Sequence, residues 1–475
     1  MQLNFIKIIY IMIKKKIGNY TIKWGILHSK VFNHLIETFN ENNIKYFILR
    51  NFEGLPEINT SKDIDVIIEP GSYMKASVLL LNVFKEHGVS NVNVVRYERV
   101  RCCFGIDVDN VFSIHIDLIE GYLSKGFEIF SFKELYRQTE DYKNFKVLNR
   151  TYDAIMLLYY KVIGTKQLKE EYKIKIAEIY KKDKHQIDEV LKRTLSKKRS
   201  TLIISALLIG DFDKILDNAD GMSKSSKVRV FVKRPFETIF SASKFLFEKI
   251  HRIIICPRKF QNFISVQGAD GTGKSTFIEG LVKAIAFYYV SEESKSHVYH
   301  HRPTILPNLG AAGEKAGVMK EDKDFTNPHR AKPAGFISSF IRMTYYWLDY
   351  VIGVPLKLRK DVQFDRFTIY DRYIYDFLID PHRSRINLPY WLRKLFTRLV
   401  MQPRIVFVLL TDAEVIYKRK QELTIDEINR QLVEFKKLAN SHKRFVVLDA
   451  SKSPDDLIND AMQIIIEKFT FKIKI

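Results

Sequence analysis

"SVQGADGTGKST", from Ser265 to Thr276, lies just past the middle of a 475-residue chain and decides how its second half folds. Before it, "NFISV" (Asn262 to Val266) is a short β-type run; after the glycines, "STFIEGLVKAIAFYY" continues as a helix. Gly268, Gly271 and Gly273 punctuate the turn between them, and Gly268-x-x-x-x-Gly273-Lys274-Ser275 therefore sits in the strand–loop–helix setting of a phosphate-holding loop. Glycines let backbone N–H groups close around an anion, and the helix N-terminus adds partial positive charge. Lys274 is placed to reach β- and γ-phosphates and Ser275 to offer a hydroxyl to Mg²⁺. Thr272 and Thr276 complete the expected cradle, so ATP and Mg²⁺ are the expected cofactors.

Two later stretches narrow the chemistry. "RFTIYDRYIYDF" (Arg366 to Phe377) reads as a strand, Phe367 to Tyr370, that ends in Asp371-Arg372-Tyr373. An acid at the C-terminal end of a parallel strand can meet the Mg²⁺ of the first loop, and the following Arg can hold a second phosphate. "IVFVLL" (Ile405 to Leu410) is a buried-type strand. Thr411 with Glu414, and Thr424 with Glu427, each fit a helix capping box. Between those two helices lie Lys418, Arg419 and Lys420. Such cations either close over a transferring phosphoryl group or simply complement the helix end.

From Phe263 to about Phe469 the chain resembles the thymidylate kinase family of phosphate-loop kinases. The acidic Asp270 inside the loop, the Asp371-Arg372-Tyr373 triplet, and a basic lid followed by a helix and the strand "FVVLDAS" carry the resemblance. It implies catalytic roles for Lys274, Asp371, Arg372 and Arg419, with Mg²⁺ on Ser275 and Asp371. It also implies acceptor contacts from Asp270, Arg372 and Tyr373. The family usually follows its triplet with a Ser-x-x-Ala-Tyr-Gln type stretch that reads the base; here the stretch is "IYDFLIDPHRSR" (Ile374 to Arg385). The segment His300 to Pro333 is also a long Gly/Pro/Lys-rich excursion. These departures bear on the acceptor, dTMP or a related nucleotide in the family, and leave phosphoryl transfer standing. His300, His301, His329 and His382 could be read as metal ligands, but a kinase needs only Mg²⁺ on oxygens.

The first half carries other carboxylates. "SKDIDVII" holds Asp63 and Asp65, two apart and hence on one strand face. "SIHIDLIEG" adds Asp117, with Ile114, Ile116 and Leu118 on the opposite face. Carboxylates on one face do not lie unpaired in an apolar core, and three on neighbouring strands could hold Mg²⁺ for attack on a nucleotide α-phosphate. The pattern resembles the nucleotidyltransferase superfamily over roughly Thr21 to Ile209. "ILRNFEGLP" (Ile48 to Pro56) stands where that superfamily has its Gly-Ser phosphate turn, keeping only Gly54.

The expected fold class is α/β: a C-terminal P-loop NTPase-type parallel sheet flanked by helices, plus an N-terminal α+β nucleotidyltransferase-like domain with a helical tail. Boundaries are expected at residues 1–20 (leader), 21–216 (N-terminal domain), 217–260 (basic linker and helix) and 261–475 (P-loop domain). The polar break Asp217 to Lys227 reads as linker. "VNVVRYERV" (Val92 to Val100) reads as one strand. Three cysteines offer no disulfide framework, so a cytoplasmic setting is the default. A net charge of +22 suits anionic partners. The expected partners are a small-molecule phosphate or hydroxyl acceptor, a second copy of the chain, since kinases of this family are often dimers, and an anionic membrane surface against the basic, aromatic segment Val228 to Lys259. The sequence holds no recognised nucleic-acid module, which argues against a nucleotide-gated nucleic-acid-binding protein. The wider enzymatic alternative is a bifunctional kinase and nucleotidyltransferase acting on a sugar or alcohol phosphate in surface-polysaccharide synthesis.

Overall fold

A computed structural model describes residues 16–17, 20–21, 24–59, 61–89, 91–97, 100–108, 110–254, 262–291, 295–307, 335–363, 365–469 and 471–472. The expected leader falls mostly outside these residues, as do His329 and most of the His300 to Pro333 excursion.

The N-terminal half is built on a mixed sheet. Its strands are β1 (Tyr46–Ile48), β2 (Ile64–Ile68), β3 (Asn91–Tyr97), β4 (Val100–Asp107), β5 (Phe112–Glu120), β6 (Thr139–Tyr142) and β7 (Phe145–Leu148). Helices α1 (Ile26–Glu41) and α2 (Tyr73–Glu86) cover one face, where Ile114, Ile116 and Leu118 are buried with Phe32, Leu35 and Leu80. A helical layer, including α3 (Glu170–Thr194) and α4 (Lys197–Ile209), covers part of the other. The Val92 to Val100 run is not one strand: β3 stops at Tyr97 and β4 begins at Val100, pairing antiparallel. The Asp217 to Lys227 stretch is not a break either. Most of it lies in α5 (Ala219–Lys233), whose Ala219, Met222 and Ser226 are buried on the helical layer. The next helix, α6, spans Pro235–Ile254.

The C-terminal half is a parallel sheet between helices. Its strands are β8 (Phe263–Gln267), β9 (Ser296–His300), β10 (Phe367–Asp371), β11 (Ile405–Leu410) and β12 (Phe445–Asp449), in the order β9-β10-β8-β11-β12. All four pairings are parallel. β8 is buried throughout and β11 nearly so; the unbroken apolar run of β11 is what a strand covered on both faces requires, while β8 also buries the polar Ser265 and Gln267. The helices are α7 (Lys274–Tyr288), α8 (Phe336–Gln363), α9 (Tyr390–Arg398), α10 (Ala413–Arg419), α11 (Ile425–Ala439) and α12 (Pro454–Phe469). Strand order reverses at β8, so the crevice beyond its C-terminal end is where such a sheet takes a ligand.

The halves share a core. Cys102, Phe104 and Ile106 of β4 are buried among Tyr289, Phe367 and Ile465. The terminal strand β13 (Phe471–Lys472) pairs antiparallel with β3, so the chain's end completes the first sheet. Phe104 stacks on His115 at 4.1 Å between ring centroids and also meets Tyr289. Phe104→Ala is therefore expected to cost about 3–5 kcal/mol, read as a lowered denaturant midpoint. A loss under about 1 kcal/mol, the level of an ordinary surface change, would contradict a shared core.

Candidate functional site

The turn after β8 forms the cradle. Gly271 (φ 92°) brings its Cα so near the end of α10 that a Cβ there would lie 3.1 Å from the Ile416 carbonyl and 3.2 Å from the Lys420 Cβ. Gly273 (φ 88°) is the left-handed residue that starts α7. Lys274 Nζ curls back and donates to the carbonyls of Gly268 (2.9 Å) and Ala269 (2.8 Å). Ser275 and Thr276 are exposed on the first turn of α7. Thr272 departs from expectation: it is buried and its hydroxyl donates to the Ala269 carbonyl, bracing the turn from within.

Beside the cradle, β10 pairs with β8 in a register that sets Asp371 against Val266. Asp371 and Ser275 line one open cleft together with His300, from the end of β9. His300 Nδ1 lies 3.3 Å from Asp371 Oδ2. Asp371 Oδ1 is buried and has no hydrogen-bond partner. A buried carboxylate oxygen without a donor is costly, and a divalent cation shared with the Ser275 hydroxyl would satisfy it. The residues present therefore fit Mg²⁺.

Arg372 has φ 67°, a conformation that costs a side-chain-bearing residue roughly 1–2 kcal/mol. Its guanidinium bridges two carboxylates, Asp270 (2.5 Å) and Asp376 (3.0 Å). Asp270 also accepts from Arg383 at 3.0 Å and lies 3.7 Å from Lys274. Burial alone would raise the Asp270 carboxyl, but Arg372, Lys274 and Arg383 outweigh it and hold it well below the usual range. Burial, joined by repulsion from Arg372, lowers the Lys274 ammonium to about 8.

The end of α10, where Lys418, Arg419 and Lys420 are exposed, comes against the loop at Gly271. Thr411 does not cap that helix: Asp412 holds the cap position without a side-chain bond, and Thr411 Oγ1 is buried without a partner. Thr424 does cap α11, accepting from the Glu427 N–H. Tyr373 stands apart from the site. It is fully buried, and its hydroxyl donates to the Met401 carbonyl at 2.6 Å. Sequence reasoning missed Arg383 and Asp376, and weighed His300 only as a metal ligand, not as a neighbour of Asp371. Arg383 lies in the departing segment Ile374 to Arg385 and arrives on a short 3₁₀ turn (Pro381–Ser384) that Asp380 caps.

The second carboxylate group also forms. Asp65 and Asp117 are register partners on β2 and β5, and Asp63, just before β2, joins them with carboxylate oxygens within 4.8 Å of one another. Each buried member already has a basic partner: Arg50 meets Asp65 at 2.7 Å and His115 meets Asp117 at 2.7 Å. Arg50 also lies over the Tyr160 ring, 4.1 Å from its centroid. Burial raises the Asp65 carboxyl against the pull of Arg50; for Asp117, His115 outweighs burial and lowers it. The fit to a resident metal is thus poorer than at Asp371. Cys102, His115 and Asp117 form a further group with ligand atoms within the same 4.8 Å.

No family model matches this chain, and no curated protein matches it. Among solved structures it is similar to a thymidylate kinase from Ehrlichia chaffeensis, at TM-score 0.30 and 14% identity, covering 42% of this chain and 97% of that one. At those values the likeness assigns neither substrate nor reaction.

Two outcomes follow from the geometry. Lys274 must be protonated to hold a polyphosphate, and its lowered value near 8 means that binding above that pH requires proton uptake. Tripolyphosphate affinity, measured by calorimetry, is expected to fall as pH rises through 8, and to fall less in Lys274→Arg. Equal affinity at pH 7 and pH 9.5 would contradict the placement of Lys274. Arg50→Met strips the buried Asp65 carboxylate of its cation and is expected to cost about 3–5 kcal/mol at pH 8, read from denaturant unfolding; an unchanged midpoint would remove Arg50–Asp65 as a structural pair.

Proposed function

We propose that this chain is a phosphotransferase that moves the γ-phosphoryl group of ATP to a phosphate-bearing acceptor. The observation that carries the reading is that Asp371, whose buried Oδ1 has no hydrogen-bond partner, lines one cleft with Ser275 of the Gly268–Ser275 cradle. Ser275 and Asp371 would hold Mg²⁺, which when bound neutralises phosphate charge. Lys274 releases the Gly268 and Ala269 carbonyls and turns to the β- and γ-phosphates. An acceptor oxygen forms the new bond to the γ-phosphorus as the bond to the β–γ bridging oxygen breaks, and ADP leaves with that electron pair. Catalysis of this kind is positioning and charge stabilisation.

Asp270 holds Arg372 and Arg383 ready side by side. Two arginines on one carboxylate make a bidentate anion seat, which favours a phosphate over a neutral hydroxyl as the acceptor's anchor. Arg419, exposed at the lid, is the candidate to cover the transferred group. In the narrow form the acceptor is dTMP or another nucleoside monophosphate. The wider form has a sugar or alcohol phosphate as acceptor and the N-terminal domain as a nucleotidyltransferase on the product; the clustering of Asp63, Asp65 and Asp117 favours keeping it.

The test is ADP formation by the full chain with Mg²⁺, alone and with dTMP, other nucleoside monophosphates and sugar phosphates. One acceptor class is expected to stimulate turnover, and Lys274→Ala to lower it about 100- to 1,000-fold. Turnover that survives Lys274→Ala would overturn the reading. ATP bound but never turned over would support a nucleotide-gated binding protein instead.

A further inference from the structure

The helix α6 is amphipathic the wrong way round for a helix that only packs on its own protein. The face it turns inward is mostly small or polar, with Phe245 half-buried: Thr238 is buried and donates to the Arg234 carbonyl, and Ala242 lies so close to Gly126 that a Cβ there would come 2.8 Å from the Ala242 Cα. The face it turns outward carries Phe236 (86% exposed), Phe240 (74%) and Phe247 (68%), at spacings of four and seven. A surface helix ordinarily buries its apolar stripe and wets its polar one.

The exposed stripe has neighbours. α6 packs on α8, and α8 on α9. α8 buries Met343, Tyr350, Val354 and Leu358 against the P-loop domain while Ile337, Ile341, Leu348 and Ile352 stay exposed. α9 adds Trp391, exposed to 66%. Single exposed apolar side chains are ordinary, but three adjoining helices that each expose an apolar stripe mark an interaction surface. Lys233, Lys244 and Lys249 are exposed at and along α6, and Arg398 at the end of α9. None of the helices is long and apolar enough to cross a membrane among the described residues.

We infer that α6, α8 and α9 form a platform that lies on an anionic lipid bilayer, with phenylalanines and Trp391 at the headgroup–acyl boundary and the lysines on lipid phosphates. Charge decides between this occupant and a second copy of the chain. Two copies joined through this face would bring like-charged lysine rims together, which disfavours association; anionic headgroups complement them, as does the chain's net charge of +22. The inference does not depend on the phosphotransferase reading. α8 nevertheless joins the two regions, because Tyr346 on the same helix stacks on Phe377, next to Asp376 of the candidate site.

The test is co-sedimentation of the full chain with vesicles of phosphatidylcholine alone and of phosphatidylcholine mixed with phosphatidylglycerol. Binding is expected only to the mixed vesicles, weaker in high salt, and reduced about tenfold or more in Phe240→Ser/Phe247→Ser. Lys244→Glu/Lys249→Glu is expected to weaken it as well. All these side chains are exposed, so the variants are expected to unfold at the wild-type midpoint, which circular dichroism checks. Failure to bind mixed vesicles, or equal binding by the phenylalanine variant, overturns the proposal. A wild-type dimer in light scattering that the phenylalanine variant converts to monomer, without vesicle binding, assigns the face to a second copy.

Discussion

The close turn from β8 into α7 is the constraint on which the rest depends. It forces the backbone through positive φ at Gly271 and Gly273 and brings the start of one helix against the end of another, α10. The tight turn sets the cradle against the end of α10, and the β8–β10 pairing sets Asp371 beside it. α7 also reaches the other half of the molecule. At its far end the Tyr288 carbonyl accepts from the Ser113 hydroxyl of β5, the strand that carries Asp117. A helix of 15 residues rises about 22 Å, so the two carboxylate centres lie on elements joined by one rigid strut.

The centres differ in how their charges are balanced. At the first, arginines neutralise Asp270 and Asp376, but Asp371 Oδ1 is left bare. At the second, Arg50 and His115 already answer the buried Asp65 and Asp117. A cation entering the first centre would relieve an unmet cost; one entering the second would compete with pairs already formed. That contrast favours the cleft of Asp371 and Ser275 over the Asp63, Asp65 and Asp117 cluster as the place for a divalent cation.

Much of this was legible in the sequence wherever the signal is local. The glycine spacing placed the loop, and Ile405–Leu410 was read to the residue because a strand buried on both faces must be apolar without interruption. What escaped depends on residues far apart in the chain. Arg383 reaches Asp270 across 113 positions, with nothing in its own neighbourhood to announce it. The Asp217 to Lys227 stretch looked like a linker from composition, yet Ala219, Met222 and Ser226 recur at helical spacing and tertiary burial overrode the polar content. Tyr373 was misplaced because a motif position does not say which way a side chain turns at a strand end. Thr411 satisfied the capping pattern, but the helix starts one residue later.

The most direct measurement is a crystal structure of the full chain with ADP and Mn²⁺, the manganese located by its anomalous signal. The account predicts manganese between the Ser275 hydroxyl and Asp371 Oδ1, with the diphosphate over the Gly268–Ser275 turn and Lys274 released from its two carbonyls. Manganese at Asp63, Asp65 and Asp117 instead, with the Gly268–Ser275 turn bare, would contradict it.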